Sequence, residues 1–233
     1  NNNKVESNYV ESKDIIGQYS VHVDDYAKFI NNGTVGGVNA TGVYLNDHSY
    51  FENTASGVVN NSSIYGVRAV NNSSAVNYGL IENIGSSGMA AYSGSAIENK
   101  ESGIIKNTSL SGMYEGDSVS SGINRGTIAN EASYGMWVLS GTGKNYGTIE
   151  NKDSFGVYIN SNGSFDNYGL IENNGAYGMW TQEGSIAINQ VGGTIQNTGN
   201  SGINVVGTGT VLTTGINNGL IANTGEQGMS STG

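Results

Sequence analysis

The sequence predicts an all-β protein, a parallel β-helix of about nine coils of about 23 residues, with three short strands in each coil. Three observations predict it. Two glycines recur nine positions apart in nine copies: Gly33 and Gly42, Gly57 and Gly66, Gly79 and Gly88, Gly103 and Gly112, Gly126 and Gly135, Gly147 and Gly156, Gly169 and Gly178, Gly193 and Gly202, Gly219 and Gly228. Each copy carries two apolar positions in fixed places: Val or Ile two residues after the first glycine, as at Val35, Ile81 and Ile149, and Val, Met or Ile one residue after the second, as at Val43, Met113 and Met179. Finally, the chain has 37 Gly and no Pro but 14 Tyr, 4 Phe and 2 Trp, a composition of short strands and tight turns rather than of disorder.

Residues 1–30 are the least regular and read as a degenerate first coil or cap, with short apolar runs at Asp14–Ile16, Tyr19–Val23 and Tyr26–Ile30 and with Gly17 lying 25 residues before Gly42. Residues 31–233 are the repeats. In each, G-x-I opens one strand, the second glycine opens another, and a third runs into an asparagine before the next first glycine, as in SAIEN and SIAIN. Side chains alternate along a strand, so the Ile and Met columns both point into the cylinder. Successive repeats start 24, 22, 24, 23, 21, 22, 24 and 26 residues apart, so the length variation lies between the second glycine and the next first one. The third strand is the least regular in sequence, because its apolar register shifts from copy to copy. Coils stacked about 4.8 Å apart make nine coils a rod of about 40 Å.

Net charge is −10, with 9 Lys plus Arg against 19 Asp plus Glu. Nucleic acid and anionic bilayer would both be repelled, so neither is an expected partner. Without Cys there is no disulfide framework or thiolate site. The first residues, NNNKVESNYV, lack the basic and apolar regions of a signal peptide, and no apolar run approaches the roughly 20 residues of a membrane span.

Strings such as NYGLIEN, NYGTIENKDSFGVYI and NRGTIANEASYGMWV resemble the passenger repeats of large fusobacterial autotransporter adhesins of the RadD-like kind. The resemblance covers roughly residues 31–233 and lies in the repeat wording. It implies a right-handed β-helix displayed on a Gram-negative cell surface and exported through a C-terminal outer-membrane barrel. On that reading the chain, which stops inside a repeat, is a portion of a longer passenger.

The asparagine columns read as structural. One stands four places after the first glycine in eight copies (Asn61 to Asn223, with Gly37 the exception), and the other two or four places before it. Asn at a corner adopts the left-handed conformation at little cost, and stacked amides bond from coil to coil. The glycines supply turns and close backbone approach. Catalytic constellations are thin: the two His and two Arg are His22, His48, Arg68 and Arg125, the best acidic pair is Asp24 and Asp25, and Glu82, Glu150 and Glu172 form an interrupted outward row. No cofactor or metal pattern is present.

The sharper signal is aromatic. Two places after the second glycine stand Tyr44, Arg68, Ala90, Tyr114, Trp137, Tyr158, Trp180, Asn204 and Ser230, a column of opposite parity to the buried Met column and so expected to face solvent. Tyr114, Trp137, Tyr158 and Trp180 form a stripe on four consecutive coils, flanked by Tyr134, Phe155 and Tyr177. Such a strip stabilises the rod by cross-coil stacking or marks an interaction surface. The expected function is a non-enzymatic surface adhesin segment, a stiff stalk with a face for a host or bacterial protein or glycan; the alternative is a β-helical polysaccharide-degrading enzyme or tailspike-like depolymerase.

Overall fold

The computed structural model describes residues 4–7, 10–11, 19–37, 41–207 and 211–232. Asp14–Ile16 and Gly17 lie outside them. The described residues form three parallel sheets of ten strands each, stacked as a β-solenoid with three strands per coil. Among them is no helix, hence none long and apolar enough to cross a membrane.

Each coil visits the sheets in turn. The coil around residue 150 runs from Thr142–Asn145 in the first sheet to Thr148–Asn151 in the second and Phe155–Asn160 in the third. Every strand pairs in register with its equivalents one coil before and after, as Ile128, Ile149 and Ile171 do. Lys4–Ser7, Val10–Glu11 and Tyr19–Val23 begin the three sheets.

The two apolar columns point inward. Val35, Val59, Ile81, Ile105, Ile128, Ile149, Ile171 and Ile195 in the second sheet are fully buried, and so are Val43 to Ile203 in the third. The first sheet corrects the expectation of a shifting register, because its pairing is uniform from Lys28–Asn31 to Thr214–Asn217. What varies is the size of the inward residue: Phe29, Phe51, Ala75, Ile97, Gly122, Gly143, Phe165, Ala187 and Gly215. Where it is glycine, a side chain from the third sheet reaches into the space, joined at Gly143 by Phe165 of the next coil, whose Cδ2 a Cβ would meet at 2.7 Å. A Cβ on Gly143 would lie 2.8 Å from a Val138 methyl, one on Gly215 would lie 2.5 Å from a Val205 methyl, and one on Gly122 would lie 1.7 Å from Glu115 Oε1. Glu115 is thus a carboxyl in the lumen, fully buried, with neither oxygen hydrogen-bonded among the described residues. Burial pushes its pKa well up; its own amide N–H opposes this without meeting hydrogen-bond geometry.

The corners explain the two asparagine spacings. Between the first and second sheets the chain turns in two residues, as at Tyr146 and Gly147, or in four, as at Lys100 to Gly103, where the Gly103 amide donates to the Lys100 carbonyl at 2.8 Å. Both turns leave the preceding Asn at the end of its strand, in one column. From Asn31 to Asn217 each Nδ2 in that column donates to the Oδ1 of the next coil's Asn at 2.8–2.9 Å. The second column does the same from Asn61 to Asn223, at 2.8–3.3 Å. These are strand-end residues, and none of them has a positive φ, contrary to the left-handed role expected of them. That conformation belongs to the corner between the third and first sheets, in pairs such as Asp47 and His48 (φ 48° and 61°) and Asn71 and Asn72 (φ 53° and 60°). The second-column glycines answer to close approach rather than to turning: a Cβ on Gly135 would lie 2.2 Å from Ile149 Cγ2 and 2.6 Å from the Gly156 carbonyl oxygen.

A candidate binding face on the third sheet

Parallel pairing places the outward residues of the third sheet in two rows. One reads Tyr114, Trp137, Tyr158, Trp180, Asn204, and beside it runs Ser111, Tyr134, Phe155, Tyr177, Ser201. The seven predicted aromatic residues therefore meet on one face. Tyr114 and Trp137 have ring centroids 4.7 Å apart, Trp137 and Tyr158 5.8 Å, and Tyr158 and Trp180 6.0 Å. The rows interlock as well, with Tyr134 5.0 Å from Tyr158 and Phe155 4.3 Å from Trp180 in an edge-to-face contact. This interlocking sets the exposure. Six of the seven rings are half-buried and Phe155 is only 9% exposed, because each ring covers its neighbours. The face is a packed aromatic wall rather than an open strip.

Three of the six polar tips are hydrogen-bonded, that of Tyr177 by Asn200 Nδ2 at 3.4 Å. Trp137 Nε1 donates to Asn160 Oδ1 at 3.0 Å, and Gln182 Nε2 donates to the Tyr158 hydroxyl at 2.7 Å. Trp180 Nε1 is buried without a hydrogen-bond partner among the described residues. Burial raises the pKa of Tyr134 and Tyr158, and pushes Tyr114 up to about 12 with help from Tyr65, Glu115 and Asp117. The Tyr114, Tyr134 and Tyr158 phenols are neutral donors and acceptors at physiological pH.

The wall continues past its predicted end. Ala90 leaves a gap in the main row, and Tyr92 covers it from the following corner, in edge contact with Tyr114 at 5.3 Å and with Tyr65 at 6.3 Å. Gly116 makes room for that ring, since a Cβ there would lie 2.5 Å from two Tyr92 carbons. Beyond it Arg68 sits over the rings of Tyr44, Tyr65 and Tyr92, and Tyr19 stacks on Tyr44 at 4.3 Å. Tyr65 precedes its glycine as Tyr134 does, whereas Tyr92 is the one aromatic residue in its column, four places after the second glycine.

Of the acidic candidates, the Glu82 row lies on the second sheet, whereas His22 continues this face in register with Tyr44, with Asp24 beside it. His22 Nε2 stands 3.8 Å from Asp24 Oδ2, with both side chains about half exposed (47% and 48%). Glu82 pairs with Lys106 at 3.3 Å, and Glu150 and Glu172 are exposed neighbours in register. Among the described residues no three His, Cys, Asp or Glu side chains converge as metal ligands. No family model, curated protein or solved structure matches the chain.

Proposed function

We propose that this chain is a non-enzymatic segment of a cell-surface adhesin, a stiff β-helical stalk whose third sheet presents an aromatic binding face to a protein or glycan on another cell. The aromatic wall carries this reading. The scaffold is already held by axial backbone pairing, two amide ladders and the buried Ile and Met columns, so large rings on the outer face are more than the solenoid requires. Rings fixed by their neighbours lose little freedom on binding and present apolar faces beside hydroxyl and amide groups, a combination suited to sugar rings and to protein surfaces. In this reading the segment stands outside a Gram-negative cell, in keeping with the repeat resemblance, and neither nucleic acid nor membrane is a partner.

The test replaces Trp137, Tyr158 and Trp180 together by Ser and measures cell adhesion, with circular dichroism confirming that the β-signal is kept. Adhesion should fall at least tenfold. Unchanged adhesion by a folded variant overturns the binding face. Release of reducing ends or unsaturated sugars from a polysaccharide panel would establish the enzymatic alternative instead.

A further inference from the structure

Arg68 occupies an unusual position on this face. In an acidic chain four described cations are paired with carboxylates: Lys100 and Arg125 share Glu98, Lys106 pairs with Glu82 and Lys152 with Glu131. Arg68 instead stands in the aromatic row between Tyr44 and Ala90. Its guanidinium carbon lies 5.8 Å from the Tyr44 ring centroid, 5.3 Å from that of Tyr65 and 4.9 Å from that of Tyr92, three rings from three coils. The Tyr65 and Tyr92 hydroxyls bond each other at 2.9 Å, which fixes two of these rings relative to one another. Nε is buried and unpartnered, while the side chain as a whole is only partly buried. No carboxylate lies within ion-pair distance of the guanidinium among the described residues.

The geometry of a guanidinium gives this arrangement a meaning. Stacking on rings uses its two flat faces, whereas recognition of a carboxylate uses the edge, where the terminal N–H groups form a fork. Here three ring centroids surround the guanidinium carbon at 4.9–5.8 Å, and no hydrogen bond or ion pair engages the terminal N–H groups among the described residues. A side chain already immobilised also loses little entropy when a carboxylate arrives, and a bidentate pair at such a site is among the stronger hydrogen-bonded contacts. Tyr92 and Tyr114 continue the wall from this point, offering an apolar surface to a ring attached to that carboxylate. Asp24, at the end of this face, accepts from Asn46 Nδ2 and from the Asp25 amide. The net charge of −10 adds a condition. A densely charged polyanion is repelled as a whole, but an isolated carboxylate feels mainly charges within a screening length of about 8–10 Å.

We propose that Arg68, with Tyr44, Tyr65 and Tyr92, forms a carboxylate-binding subsite at one end of the aromatic wall, and that the ligand it takes is a glycan bearing a sparse acidic sugar of the uronic or sialic type. The proposal rests on the wall being a glycan-binding face. Arg68 pairs the carboxylate, and the wall receives the neighbouring sugar rings.

Titration calorimetry of the whole chain with a matched set tests it: an oligosaccharide ending in an acidic sugar, its methyl ester, a neutral analogue, heparin and an acidic peptide. The acid should bind at least tenfold tighter than its ester. Arg68→Gln should erase that difference, so that acid and ester bind alike, and Arg68→Lys should keep only part of it. Circular dichroism confirms that both variants fold. Equal binding of acid and ester by the wild-type chain, or a preference that survives Arg68→Gln, overturns the subsite. In that event neutral-sugar binding that is lost on Trp137→Ser and Trp180→Ser leaves the wall intact as a glycan face. Binding of the acidic peptide alone, or preference for heparin over the sparse acid, refutes the ligand class. A complete absence of glycan binding refutes the subsite and the glycan-binding wall together.

Discussion

Replacing Glu115 by Leu should stabilise the rod, and by more as pH rises. The carboxyl lies in the lumen over Gly122, with its strand neighbours Ala91 and Val138 one coil away on either side. Both oxygens are unpartnered, and an unsatisfied buried polar group costs about 1–3 kcal/mol at any pH. Linkage adds to this. The folded pKa is raised, so the unfolded chain gives up its proton near the ordinary glutamate value while the folded chain keeps it. Stability is then fully present below that ordinary value and declines as pH rises toward the folded one, by about 1.4 kcal/mol per pH unit. Each pH unit between the ordinary glutamate value and the folded one then lowers Tm by roughly 3–6 °C for a chain of this size. Thermal melts followed by circular dichroism at pH 4.5, 5.5 and 6.5 compare the wild-type chain with Glu115→Leu and Glu115→Gln. The comparison isolates Glu115. Glu98 and Asp117 have lowered values because hydrogen bonds outweigh their burial, so they stabilise above the ordinary carboxylate range and weaken as pH falls, equally in all three proteins. Hydrogen exchange in Ser87–Ala91 and Tyr134–Leu139 should place the weakened region beside Glu115. A difference between wild type and Glu115→Gln that stays constant across the pH range would refute the reasoning.

Three substitutions probe the rest of the scaffold. Asn124 accepts from Asn99 at 2.9 Å and donates to Asn145 at 2.8 Å, so Asn124→Ala should lower stability in urea by about 2–4 kcal/mol, with normal stability refuting the ladder's role. Gly135→Ala places a methyl group against Ile149 and the Gly156 carbonyl; a loss of about 1–3 kcal/mol in the same assay is expected, and none if the glycine served only as a turn. Ile149→Asp buries an unpaired charge in the second-sheet column, and a fall of about 3–5 kcal/mol should appear in thermal melts. An unchanged melt would mean that this column does not face inward.

Much of the fold is legible because the solenoid repeats its own constraints. A column that is never polar, such as Val35 to Ile221, declares its direction nine times over. The first sheet is harder to read, because its inward place is filled jointly with the third sheet, so Gly122 or Gly143 there looks like a missing residue until Glu115 or Val138 is placed beside it. The amide columns were visible but their geometry was not: Asn at two different spacings from glycine looks like two roles, and only the two-residue and four-residue turns show them to be one. For the candidate face, alternation put Tyr114, Trp137, Tyr158 and Trp180 on the outside. Alternation says nothing about how far rings from adjacent coils cover each other, which is why Phe155 emerges almost buried. Tyr92 and Gly116 share one column, four places after the second glycine, but its members from Asn46 to Thr232 have no common chemistry to mark it.

The asparagine ladders also bear on how the molecule ages. Deamidation proceeds when the amide nitrogen of the next residue attacks the Asn side-chain carbonyl, most readily where that residue is glycine. No ladder asparagine is followed directly by glycine, even in a chain with 37 of them. The nitrogen that would attack is also engaged between coils: Tyr146 N–H donates to Asn124 O at 2.7 Å, Tyr168 N–H to Asn145 O at 2.7 Å and Lys152 N–H to Asn130 O at 3.1 Å. Asn32, Asn162, Asn174 and Asn218, exposed at the corners and each followed by glycine, carry the vulnerable sequence instead. Chemical wear therefore begins on the surface, where a new carboxylate is solvated, and spares the interior columns, where a single one would break the chain of amides and bury a charge.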